Sequence, residues 1–143
     1  MSEQPELMKD SLLQWDDEAK TMLRFAWQGE WSWDVYYEFH ERAWEMVRSV
    51  DHKVHIIYDV RKIDTFGANA LTHFGNMAKK YPPNVGKIVG VGTNAFQSAI
   101  GRMYESIAVI GGKVADGADG QLLLYTTLEN AHKALEEYKA EQA

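Results

Sequence analysis

The sequence predicts an α/β protein: one domain on a mixed, mostly parallel sheet of about five strands, opened by an N-terminal hairpin and carrying about four helices. Three observations predict it. Two short apolar and aromatic runs, residues 11–15 and 21–27, are separated only by a polar turn at 16–20. Runs of strand length then alternate with segments of helical periodicity. The stretches at 53–60 and 86–92 are nearly continuous in apolar residues, as strands covered on both faces are. Crossovers between parallel strands are expected to be right-handed.

Residues 1–10 are polar and acidic and read as a flexible leader, which leaves 11–143 as the domain. The two runs that follow make the hairpin, closed by Gly29. Ser32 stands at an N-cap position with Asp34 favourably placed in the first turn. Trp33, Tyr37, His40, Trp44 and Val47 then share one helical face. A second stripe, Tyr36, Phe39, Ala43, Met46 and Val50, lies beside it and makes the apolar arc unusually wide. Residues 53–60 form the strongest strand, expected at the centre of the sheet. Residues 64–67 open the next helix, which turns Leu71, Phe74, Ala78 and Tyr81 inward and stops at Pro82-Pro83. A strand at 86–92 precedes a helix capped by Thr93 or Asn94, with Phe96, Ile100, Met103, Ile107 and Ile110 inward and Gly111-Gly112 at its end. The last strand covers 121–125. Thr126 and Glu129 read as a capping box for a final helix that buries Leu128, Ala131, Leu135 and Tyr138.

Composition narrows the function. A chain of 143 residues folds most simply as one domain, burying roughly 70% of the surface its unfolded form exposes. Its net charge of −6, with no basic stripe, argues against nucleic acid as the main partner. The absence of cysteine excludes thiol nucleophiles, disulfides and thiolate metal sites. The acidic N-terminus is unlike a signal peptide, and no apolar run reaches the ~18 residues of a membrane span. A cytoplasmic, bacterial-type protein is the expectation.

Catalytic and metal motifs fail one by one. Gly90-Val91-Gly92 sits between strand and helix, but the third glycine of a dinucleotide fingerprint is Ala95, so close helix packing is the better reading. His40-Glu41 opens like a zinc-protease motif whose second histidine is here Trp44. His52, His55, His73 and His132 form no cluster with ligand spacing, so no metal and no cofactor is expected. Ser98 lacks the flanking glycines of a nucleophile elbow. The carboxylates and glycines of 116–120 lack calcium-loop spacing. A phospho-accepting receiver domain would need an acidic pair at the first strand end and a late Lys before Pro. Asp16-Asp17 lies in the hairpin turn instead, and Tyr125-Thr126-Thr127 supplies no Lys. No catalytic residues are assigned.

The most informative segment is 54–71, a buried strand ending at Asp59, a charged turn, and Asp64-Thr65-Phe66-Gly67 at the start of a helix. That order places a carboxylate and a hydroxyl beside free backbone amides, where anions and partner proteins dock. With Ala68, Ala70 and Leu71 following, it resembles the STAS superfamily, the domain of bacterial anti-sigma-factor antagonists and sulfate-transporter C-termini, within the SpoIIAA-like fold. The resemblance covers roughly residues 11–140 by element order. The wide aromatic first helix and the closing segment 128–135 resemble a STAS-like branch, mostly without assigned activity, whose fold is shared with lipid-binding CRAL-TRIO domains.

The resemblance implies a non-enzymatic regulatory or interaction domain working through protein–protein contacts at Asp64, Thr65, Phe66 and Gly67. In the antagonists the residue directly before the glycine is a phosphorylated Ser; here it is Phe66, with Thr65 at the preceding position. Thr65 remains a possible phosphate acceptor and is more simply an N-cap. The aromatic arc has three readings: plain core, the surface of a homodimer, or one wall of a site for a small apolar ligand or lipid. The residues concerned are Trp33, Tyr36, Tyr37, His40 and Trp44, with Met103 and Ile107 opposite.

Overall fold

Polar side chains close the first turn. In the computed structural model, which describes residues 12–27, 32–62, 70–94 and 123–142, β1 (Leu12–Trp15) and β2 (Met22–Ala26) pair antiparallel. Asp17 accepts the backbone N–H groups of Thr21 and Met22 at 2.9 and 3.0 Å and the Thr21 hydroxyl. Lys20 takes the left-handed conformation that the reversal requires, with φ of 61°. The expected leader and Gly29 lie outside the described residues.

Helix α1 (Trp33–Arg48) starts as its sequence demands, with Ser32 Oγ accepting the Val35 N–H at 3.3 Å. Strand β3 (Val54–Asp59), helix α2 (Ala70–Ala78), strand β4 (Val85–Val91), strand β5 (Leu123–Tyr125) and helix α3 (Leu128–Gln142) follow in that order. The sheet runs β1-β2-β3-β4-β5, parallel from β2 onward, so β3 is central as its composition implies. The α/β class, the mixed five-stranded sheet and the opening hairpin are as expected.

Two details differ. Three helices rather than four stand among the described residues, because the helix expected from Thr93 or Asn94 to Ile110 is described only at its start. The cap of α3 is Thr127, not Thr126: Thr127 Oγ1 accepts the Asn130 N–H at 3.1 Å. Two adjacent threonines look alike in sequence, and the chain reaches helical geometry one residue later than the Thr126–Glu129 spacing suggests.

Strand alternation separates two cores. On one face Leu23, Phe25, Val54, Ile56 and Ile88 pack against α1, with Met77 of α2 in the same cluster. On the other, Met22, Ile57, Val89 and Val91 pack against Ala131 and Leu135 of α3. A register shift between Val54 and Ile56 lets both Val85 and Ile88 join the α1 core. Beside it, His55 Nδ1 accepts the Lys87 N–H at 2.9 Å directly over Gly86. A Cβ at Gly86 would fall 2.5 Å from that nitrogen, so this position takes no side chain without displacing His55. A Cβ at Gly90 would fall 3.0 Å from Leu124 Cδ2, so among the described residues the close neighbour at this glycine is the adjacent strand β5 rather than the helix expected to pack there.

The wide arc of α1 is buried at its centre. Tyr36, Phe39, His40, Ala43, Trp44 and Val47, drawn from both stripes, are all buried, while Trp33, Tyr37, Met46 and Val50 flank them half-buried. The sheet reaches both stripes, with Phe25 of β2 against Phe39, His40 and Trp44, and α2 with the residues after it adds to the cover of Trp44. Trp44 Nε1 donates to Met77 Sδ at 3.4 Å, and its ring lies 5.0 Å from that of Tyr81.

Candidate functional site

The exit of β3 is held by ionic contacts. Val60 N–H continues the ladder to Val91 O at 2.8 Å, and Trp27 N–H donates to Asp59 O at 3.0 Å, so the backbone there is fixed on both sides. The Asp59 carboxylate lies on the α3 face of the sheet. Arg61 turns back onto it with Nε to Oδ1 at 2.8 Å and Nη2 to Oδ2 at 2.7 Å, in the two-pronged geometry that suits a guanidinium. Arg24 adds Nη1 at 3.2 Å from β2.

Arg24 also grips Asp16 through Nε, at 3.1 and 2.9 Å from the two oxygens. His132 of α3 reaches the same Asp16 at 2.7 Å. Lys139, two turns further along α3, donates to Thr21 at 2.8 Å and lies 3.6 Å from Asp17. The network therefore ties the hairpin turn, β2, the β3 exit and α3 together. Burial works to raise the pKa of Asp59, but the hydrogen bonds and charge of Arg61, with the charge of Arg24, outweigh it and hold the carboxyl below its ordinary value.

The opposite face is aromatic with a polar thread. His40 is fully buried, with Nδ1 2.8 Å from Tyr36 O and Nε2 3.0 Å from the Tyr58 hydroxyl. The Tyr58 hydroxyl is in turn 3.1 Å from that of Tyr81. A carbonyl only accepts, so Nδ1 carries the proton and donates to Tyr36 O, and Nε2 accepts from Tyr58. Tyr58 has then used its proton, which makes Tyr81 the donor to Tyr58. Burial pushes the pKa of His40 down to about 4, so the ring is neutral near pH 7. Burial also raises Tyr58 well above the usual phenol value.

At the rim of this face, between α1 and α2, Tyr37 OH lies 2.7 Å from His73 Nδ1, and the His73 ring stacks on Trp33 with centroids 4.1 Å apart. Asn76 donates to Tyr37 at 3.4 Å.

Of the residues singled out in sequence, Asp64, Thr65, Phe66, Gly67, Met103 and Ile107 lie outside the described residues. Tyr36, His40 and Trp44 are brought together in the core, and Trp33 and Tyr37 meet His73 at the helix pair's edge. Sequence reasoning set His73 and His132 aside as forming no cluster. Each has partners distant in sequence, and no local spacing signals them. Among the described residues no group of three His, Asp or Glu side chains could hold a metal ion, and no helix is long and apolar enough to cross a membrane. Comparison with protein-family models, with curated proteins and with solved structures finds no match.

Proposed function

We propose that this chain is a STAS-like, SpoIIAA-like domain, bacterial and cytoplasmic, that works through protein–protein contacts rather than catalysis. The docking surface in this reading is the exit of β3 and the following residues Asp64, Thr65, Phe66 and Gly67. One observation carries it: Asp59, at the end of the central strand, is clamped by Arg61 and Arg24. A strand exit fixed in this way holds Arg61 in place, which lowers the ordering cost of binding at that end of the strand. A hairpin-opened sheet in consecutive strand order supports the same reading.

The test is site-specific photo-crosslinking in cells, with the probe replacing Lys62, exposed just after Asp59, or Glu137, exposed on α3. Capture of one protein from position 62 alone is expected. Equal capture from both positions, or none, removes the reading. Self-association as a C2 homodimer belongs to the same proposal. Light scattering at micromolar concentration should give twice the chain mass, and a strict monomer discards that part.

The alternative, a small apolar ligand or lipid between α1 and the sheet, is disfavoured by packing. Phe25 lies between the rings of Phe39, His40, Trp44 and Tyr58 at centroid distances of 4.8–5.9 Å, which leaves that interface filled by the chain itself. Native mass spectrometry of protein purified from cells distinguishes the two, since a retained lipid would favour the alternative.

A further inference from the structure

We propose that Tyr58 is a one-electron redox site, a phenol whose proton passes to His40 as its electron leaves. The hydrogen-bond directions derived above supply the chemistry. Tyr58 already donates to an imidazole nitrogen 3.0 Å away that holds a lone pair and no proton. Removing an electron from a phenol makes it a strong acid, so the proton must leave with the electron, and here an acceptor is in place. The step balances as Tyr58–OH, neutral His40 and oxidant giving the neutral Tyr58 radical, protonated His40 and reduced oxidant. The oxidant is of the outer-sphere one-electron class, such as a ruthenium(III) polypyridyl complex. Re-reduction returns the proton along the same bond.

The surroundings fit this role. Protonated His40 keeps its Nδ1–H bond to Tyr36 O, which offsets part of the cost of charge in a buried site. Tyr81, half-buried, donates to the Tyr58 oxygen at 3.1 Å and so stabilises it after the proton has gone. Further oxidisable rings adjoin this pair. Tyr81 lies 5.0 Å from Trp44 between centroids, while Tyr36, beside His40 at 4.4 Å, lies 4.9 Å from Trp33 and 5.9 Å from Trp27. Electrons can therefore pass between Tyr81 or Trp33 and the Tyr58 phenol, all three half-buried, by short steps between rings.

Flash-generated ruthenium(III), formed with an irreversible cobalt(III) acceptor, tests this on the full chain by freeze-quench electron paramagnetic resonance and transient absorption. A neutral tyrosyl signal is expected that narrows with ring-deuterated tyrosine, is lost in Tyr58→Phe and persists in Tyr81→Phe. Its formation should slow in deuterated water and be independent of buffer concentration, because the proton acceptor is internal. His40→Gln should abolish the signal or shorten its life. If that variant does not fold, Tyr58→Phe and the buffer dependence still decide. An unchanged signal in Tyr58→Phe, a rate that rises with buffer concentration, or no tyrosyl signal in the native chain overturns the proposal.

Discussion

The Asn84 side-chain amide donates to the backbone carbonyl of Val47 at 2.8 Å, joining the residue before β4 to the last turn of α1. The same nitrogen reaches Val50 O at 3.3 Å and His52 O at 3.1 Å. A helix end leaves its final carbonyls without partners in the helix, and the two amide protons of Asn84 are shared between one of these, Val47 O, and two carbonyls of the chain that leaves the helix. Asn84→Ala should destabilise the fold by about 1 kcal/mol, the net worth of a typical hydrogen bond, since the Val47 carbonyl keeps only the longer contact from the Val50 N–H at 3.4 Å. Asn84→Asp should be worse, because a carboxylate cannot donate and adds negative charge at the negative end of the helix dipole. Urea unfolding of the two variants gives the order directly, and equal stabilities would show that water replaces the amide.

Arg24 separates two carboxylates that sit 4% and 8% exposed, Asp16 and Asp59. Arg24→Met keeps much of the side-chain volume and removes the charge between them. Arg61 and His132 remain on one carboxylate each, so the expected loss is about 3 kcal/mol, the lower end for breaking a buried pair. Arg61→Ala should cost less than about 1 kcal/mol, because that side chain is 42% exposed and its pairing is screened by water. Guanidinium denaturation of both variants checks the ranking.

Acid should unfold this protein by a histidine-led route. Burial depresses His40 and His55 from the ordinary 6.5 to about 4, the nearby Lys139 and Lys53 adding to the effect at His55. The unfolded chain therefore binds these protons first, and stability present above pH 6.5 is lost as pH falls toward 4. For the fully buried His40 this amounts to roughly 3 kcal/mol. Asp17 and Asp59 act in the same direction lower down, since their depressed pKa values withdraw further stability as pH drops below their ordinary 3.8. Thermal midpoints measured from pH 7 to pH 4 should fall steadily. A flat profile over that range would show that neither histidine changes its proton affinity on folding.

The start of α3 offers a discriminating pair. Thr127→Ala should destabilise by about 1 kcal/mol, as loss of an N-cap does, and Thr126→Ala by a few tenths at most. Circular dichroism melts of both variants separate the two threonines.

Much of the fold was legible because it rests on local pattern. The short apolar run of β2, the nearly continuous apolar run of β3, the two stripes of α1 and the cap at Ser32 each follow from residues within a few positions of one another, and their outcome does not depend on what lies across the sheet. The Thr127 cap was misread by one residue because the exact point where the chain turns helical depends on how β5 ends.

Among the described residues, the amino-acid order by itself determined which segments are strands and helices, which strand is central, and the centre of each buried face, because burial follows periodicity. Only the tertiary structure decided the polar pairings: Arg24 with Asp59 at 35 residues' separation, Tyr58 with His40 at 18, and His132 with Asp16 at 116. Any carboxylate or hydroxyl can bond many partners, and strand register together with helix placement selects the one within 3 Å or so.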